Sequence, residues 1–408
     1  MIKNPEKLSK ERYDRTVAAY NLEEPDRVPL AGFGGDVIPA FAGITQQEYA
    51  YDYDKAVAAS IKYMKEFPFD SAPMPIPGLD GRIFNIAFSD YDDLSSRLTF
   101  ITGPMHDVLA DKYYRYPGNE TSVDASPQFL GGTFMEPDEY DELIADPIKF
   151  INETIMPRVS PNLATTRDAM ATWTRLGIEI EKFGAAGGKF GAEAAKLGAP
   201  NLPLGGAYAP LDLIGDFLRG IDRVTLDLRR YPEKVKAAAE ALVDPIVKYA
   251  LTFKEMGMEY VMIPLHLNEY LSPKLYKEFY WPTLKEVILR LGKEGLKSWV
   301  FFEGYHDVHL ETILELPKGW GVAYFEKTDI VKAKKMLQGH TCVMGGLPVN
   351  LIIGGTPETI DEYIKELMPQ VKPGGGFVLA ASVGTLPATT PLENIKAVID
   401  AVEKYGKY

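Results

Sequence analysis

The sequence predicts an α/β fold, a TIM-type (β/α)8 barrel with an N-terminal helical extension and inserted loops, and three observations predict it. From about residue 200 onward, short apolar runs alternate with longer helical patterns, the rhythm of repeated βα units. Late runs at six places and earlier ones at two places make eight, the number that closes such a barrel. The helices between them carry explicit start signals. The 408 residues are read as one domain over 1–408, with a helical arm over 1–26 and the barrel with its insertions over 27–408.

Taken in order, the first strand is expected over Arg27 to Phe33, after the polar arm, and the end of a second over Phe69 to Met74. The proline-rich stretch Ser71 to Gly78 breaks the pattern. So does the Gly/Ala-rich stretch from Phe183 to Gly198, which composition leaves open between a mobile loop and a close-packed helix pair. The later strands are expected over Pro203 to Tyr208, Tyr260 to Leu265, Ser298 to Phe302, Val322 to Phe325, Thr341 to Met344 and Phe377 to Ala381. Each is mostly apolar, as parallel strands buried on both faces must be. Ser272-Pro273 opens a helical segment reaching Gly292, with a kink or break expected at Pro282. Thr356-Pro357 opens the next helix, and Thr390-Pro391-Leu392-Glu393 has the spacing of a capping box for the last.

Composition bounds the function. With 46% hydrophobic and 25% charged residues the chain has ample material for a large core, which excludes a disordered or fibrous protein. A formal charge of -13 repels polyphosphate, so neither nucleic acid nor an anionic membrane is an expected partner. One cysteine, Cys342, excludes an intrachain disulfide and any zinc or iron–sulfur site needing two thiolates from this chain. Its start at a buried strand marks it as packing. A charged N-terminus and reduced-thiol chemistry point to the cytoplasm.

In barrels of this type the residues just after each strand face the active site. That geometric filter selects Gly34, Gly35 and Asp36; Asp70; Tyr208; His266, Asn268 and Glu269; Glu303, Tyr305 and His306; Glu326; and Ser382. The densest group is Glu303-Gly304-Tyr305-His306, where a carboxylate, a phenol and an imidazole share one short loop and can act as acid, base or hard metal ligand. The bland alternative gives Glu303 a neighbouring cation and leaves His306 on the loop surface. His106 and His340 lie away from the strand ends and are read as structural. Gly354-Gly355-Thr356-Pro357 reads as a turn feeding a helix cap, and no dinucleotide fingerprint is present.

Several segments in order carry a resemblance to the uroporphyrinogen decarboxylase superfamily, whose members include corrinoid-dependent methyltransferases. They are Asp26-Arg27-Val28-Pro29-Leu30, Phe134-Met135-Glu136-Pro137-Asp138-Glu139-Tyr140-Asp141, Leu271-Ser272-Pro273 with Trp281-Pro282, Gly345-Gly346-Leu347-Pro348, Gly354-Gly355-Thr356-Pro357-Glu358 and Thr390-Pro391-Leu392-Glu393-Asn394-Ile395. The departures select a branch. Where true uroporphyrinogen decarboxylases carry an arginine-rich loop, this chain has Ala31-Gly32-Phe33-Gly34-Gly35-Asp36-Val37-Ile38, electrostatically wrong for a substrate with eight carboxylates. Where the coenzyme M methyltransferases carry His-x-Cys-Gly and a second Cys, this chain has Phe301-Phe302-Glu303-Gly304 and Ser382.

The resemblance therefore implies an O-demethylase methyltransferase that moves a methyl group from an aryl methyl ether to the cobalt of a separate corrinoid protein. Glu303, Tyr305 and His306 would act on the leaving oxygen by proton donation, or through zinc held by Glu303 with His306 or His266. Asp36, His266, Asn268 and Ser382 would orient the substrate and Tyr208 would stack on it. A homodimer is a further implication. The alternatives are a cofactor-free decarboxylase of a smaller substrate and a non-catalytic barrel binding a tetrapyrrole or a protein partner.

Overall fold

The computed structural model describes residues 3–73 and 76–408. The strands that matter for the site are β1 (Leu204–Gly206), β2 (Tyr260–Leu265), β3 (Lys297–Phe302), β4 (Gly321–Phe325), β5 (Cys342–Leu347) and β6 (Phe377–Ala381). Each falls within about three residues of its sequence expectation. The chain divides into two compact units, one of 1–77, 185–202 and 299–408, the other of 78–184 and 203–298.

In the first unit, β4, β5 and β6 pair in parallel and in chain order. Their side chains are almost all buried, which is why they read as continuous apolar runs. Cys342 begins β5 and is buried, as expected. Thr356 caps the Pro357–Val371 helix through a reciprocal box with Thr359, so the Gly354-Gly355 turn does feed a cap. The box expected at Thr390 does not form. That hydroxyl donates to the Pro387 carbonyl instead, and the helix Leu392–Tyr405 starts after Pro391 with no side-chain cap.

The first two predicted strands are also corrected. Arg27 to Phe33 contributes only isolated bridges, Arg27 with Lys407 and Leu30 with Leu379. The cause is local. Pro29 has no N–H to donate, and the Leu30 N–H is taken by the Asp70 carboxylate at 2.8 Å rather than by a neighbouring strand. Asp70 is itself clamped by Arg15 at 2.6 Å and Arg27 at 2.7 Å, so this buried carboxylate is fully paired. Residues 69–73 form no strand, and Met74 lies outside the described residues.

In the second unit, β1 and β2 pair in parallel, with Gly206 opposite Met262. Ser272 accepts the Leu275 N–H, as its position predicts, and a wide π-type turn over Tyr276–Tyr280 precedes the Trp281–Lys293 helix. Pro282 thus sits in the first turn of a new segment, where its missing N–H costs nothing. The Gly/Ala-rich stretch is neither loop nor helix pair: helix runs unbroken from Thr166 to Ala195. Ala186, Phe190 and Ala194 keep a buried stripe at helical spacing, which holds the helix despite its glycines.

Candidate active site

The site is built in the second unit from the ends of β1 and β2. After β1 the chain passes Tyr208 and enters the helix Pro210–Leu213, which widens into a π-type segment over Ile214–Arg219. Asp212 and Asp216 stand four residues apart across that change of pitch, so both point the same way. A widened turn leaves carbonyls without their usual helical donors. The Phe134-Met135 motif supplies replacements: the Phe134 and Met135 N–H groups reach the Leu218 carbonyl, and Gly132 N–H reaches that of Asp216 at 3.2 Å. Gly131, at φ +61°, lets the backbone pass close enough, since a Cβ there would stand 2.7 Å from the Asp216 carbonyl oxygen.

Asp216 is buried and gathers two partners on one oxygen. Tyr208 donates to its Oδ2 at 2.8 Å, and His266 Nδ1 lies 2.6 Å from the same atom. His266 directly follows β2 with its side chain 24% exposed, whereas its two partners are enclosed. A carboxylate on Nδ1 favours that nitrogen as the N–H.

Asp212 forms the second half of the cluster. It accepts the backbone N–H of His266 at 3.1 Å, that of Leu267 at 2.9 Å, and the hydroxyl of Tyr280. Burial disfavours its charge strongly, and the nearby Asp216 adds to that. Against the pull of His266 and of its donors, its carboxyl is pushed up to about 7. The same burial pushes the Tyr208 and Tyr280 phenols far above their usual range, so both stay neutral donors. The cluster therefore combines a carboxyl that titrates near neutrality with an imidazole–carboxylate pair.

Of the residues selected from sequence, the structure brings Tyr208 and His266 together, with Tyr208 Oη 3.5 Å from His266 Nδ1. Asn268 lies two residues further on, buried in a short 3-10 turn. The others belong to the first unit. Asp36 precedes the helix Val37–Ala42 at the end of a two-residue strand pairing with Thr385 and Leu386. Ser382 accepts the Val349 N–H at 3.0 Å, at the start of the earlier helix Val349–Gly354.

Glu303, Tyr305 and His306 share a loop but not a direction. Tyr305 is 63% exposed with Lys327 over its ring, while His306 is fully buried. Its ring lies 4.4 Å from that of Phe302 and 5.2 Å from that of His309. The surface position that the bland alternative gave His306 is thus replaced by an interior one, and burial holds its ring neutral. His340 meets the Ile313 carbonyl and His106 meets two carboxylates, Asp111 and Glu120.

Asp212, Asp216 and Tyr280 were not among the selected residues. The signal available was Asp-x-x-x-Asp just after a Pro-initiated helix start, four residues beyond a strand-end tyrosine. Among the described residues, no group of three or more His, Cys, Asp and Glu side chains is arranged to hold a metal ion. Glu303, His306 and His266, which the resemblance implies as zinc ligands, are not gathered into such a group among the described residues. Among the described residues, no helix is long and apolar enough to cross a membrane.

Comparison with known proteins gives consistent relatives. A methyltransferase from Methanosarcina mazei shares the fold at a TM-score of 0.62, covering 96% of this chain and 98% of that one at 14% identity. Its likeness confirms the α/β, TIM-type architecture. The uroporphyrinogen decarboxylase of Anaeromyxobacter dehalogenans is 30% identical over 131 residues, 32% of this chain and 36% of that protein. The uroporphyrinogen decarboxylase of Coxiella burnetii is 24% identical over 183 residues, 44% of this chain and 50% of that protein. The chain spans between about a third and a half of the length of these curated relatives. The family description for uroporphyrinogen decarboxylase (URO-D) matches residues 148–405, well over half of the sequence and the whole stretch from the Asp212–Asp216 helix to the last helix, so the chain belongs to that family.

Proposed function

We propose that the chain is a methyltransferase of the corrinoid-dependent branch, taking a methyl group from an aromatic methyl ether and delivering it to the corrinoid of a separate protein. The observation that carries this reading is the Tyr208–Asp216–His266 arrangement, a positioned proton source at a strand end. Transfer breaks the bond between the methyl carbon and the ether oxygen, and the electron pair stays on oxygen. A reduced corrinoid held by the separate protein would supply the pair for the new bond to carbon. The oxygen then needs a proton, and His266 gives it while Asp216 stabilises the charged ring. Tyr208 holds Asp216 in register, and Asn268 and the Asp212–Tyr280 pair shape the surroundings of the strand end.

The proton is assigned to His266 because its ring is both held and partly exposed. Tyr305 is largely in solvent, and His306 is fully buried against Phe302 and Phe325. The name of the Methanosarcina mazei neighbour fits the methyltransferase reading. The test is product analysis with a panel of methoxylated aromatics, reduced corrinoid protein and the enzyme. Release of the matching phenol supports the reading. Carbon dioxide release from carboxylated aromatics, with no phenol from any ether, would replace it by the decarboxylase.

A further inference from the structure

One buried cation lies on the same face of the β1–β2 ladder as this site. Residues 206 and 208 share a face of the strand and its continuation, and Met262 and His266 share the matching face opposite. Arg82 occupies that face beneath Tyr208. Its guanidinium is 5.7 Å from the centre of the Tyr208 ring, is paired with Asp80 and donates to Met262 Sδ at 3.2 Å. The side chain is almost completely buried, and among the described residues its Nε has no hydrogen-bond partner. Burying a cation with an unmet donor costs stability, so packing alone is a poor account of it.

Gly206 explains how the cation fits. A Cβ at that position would stand 2.8 Å from Arg82 Nε and 3.1 Å from Thr99 Cγ2, so only a residue without a side chain leaves room. We propose that Arg82 is a positioning residue for the Tyr208–Asp216–His266 arrangement, anchored by Asp80 and admitted by Gly206. A cation on the ring face is attracted by the π electrons and draws density from the phenol. It fixes the plane of the Tyr208 ring, and the hydroxyl then donates to Asp216 in one direction. Asp216 in turn keeps its oxygen on His266 Nδ1. The catalytic consequence rests on the assignment of His266 made above, whereas the ordering of Tyr208 does not.

The experiment therefore reads both. The hydrogen-bonded Tyr208 hydroxyl proton is followed by NMR in the intact chain, assigned by its absence in Tyr208→Phe, alongside kcat and KM for methyl transfer. In Arg82→Met the resonance is expected to move upfield or vanish, with kcat down about tenfold and KM unchanged. Arg82→Lys should restore much of both. Gly206→Ala should reproduce the Arg82→Met shift by pushing the guanidinium aside, and it decides the matter if Arg82→Met does not fold. An unmoved resonance in a folded Arg82→Met or Gly206→Ala chain would overturn the proposal, as would an equal shift in Arg82→Lys. Absence of methyl transfer by the wild-type chain would count against the proposed function, and the resonance would still decide the role of Arg82.

Discussion

Asp216 and His266 lie 50 positions apart in sequence and meet at 2.6 Å, carboxylate oxygen to Nδ1. Asp216 is carried by a widened helical turn after β1, and His266 by the end of β2, its paired neighbour. The pair therefore depends on strand pairing to bring its halves together and on the Gly131–Met135 segment to hold the turn open.

Asp216→Asn tests what that contact does. The amide keeps the shape but cannot stabilise a charged imidazole, so turnover should fall by about 10²–10⁴-fold with the circular dichroism spectrum unchanged. A rate within a factor of two of wild type would remove Asp216 from the chemistry.

Asp212 makes stability depend on pH in a defined direction. Its carboxyl is raised from 3.8 to about 7 in the folded chain, chiefly by burial. Between those values the unfolded chain has lost the proton that the folded chain retains. Its contribution is thus fully present below about pH 3.8 and is lost as pH rises toward 7. Asp212→Asn should flatten that part of the curve in urea denaturation at a series of pH values.

His306 works at the acid side. Burial, followed by the neighbouring His309, holds its ring below the ordinary value of 6.5. The folded chain then binds fewer protons than the unfolded one as pH falls below that value, and stability declines. His306→Phe, which can pack against Phe302 and Phe325, should shift the acid unfolding midpoint downward. An unshifted midpoint would mean that the ring titrates equally in both states.

Much of the fold was legible and the reasons are particular. The strands β2 and β6 match their expected ranges because buried parallel strands are continuous apolar runs, a pattern independent of partners. The Arg27 to Phe33 strand was misjudged because the competitor for the Leu30 N–H is Asp70, 40 residues away, which no local pattern shows. Of the candidate cluster, Tyr208 and His266 were selected from sequence because they lie just after apolar strands. Asp212 and Asp216 escaped because a filter set at strand ends stops before the helix that follows. Their importance lies in the π-type widening, which exists only because another segment satisfies its carbonyls.

That same region contains a charge pair whose removal should be costly. Arg219 is buried, donates to Asp227 at 2.8 Å and to the Met135 carbonyl at 2.8 Å, and Asp227 also accepts from Tyr140. Asp227→Ala strands the guanidinium and should destabilise the fold by about 3–5 kcal/mol in denaturant titration. A loss below about 1 kcal/mol would show that the pair is solvated.

The most direct test is methyl transfer itself, measured as the visible absorbance change of a reduced corrinoid protein mixed with the enzyme and each member of a panel of methoxylated aromatics. The account predicts methylation with at least one donor, accompanied by one equivalent of phenol. No transfer from any donor, with the same corrinoid protein accepting methyl from a control enzyme, would contradict it.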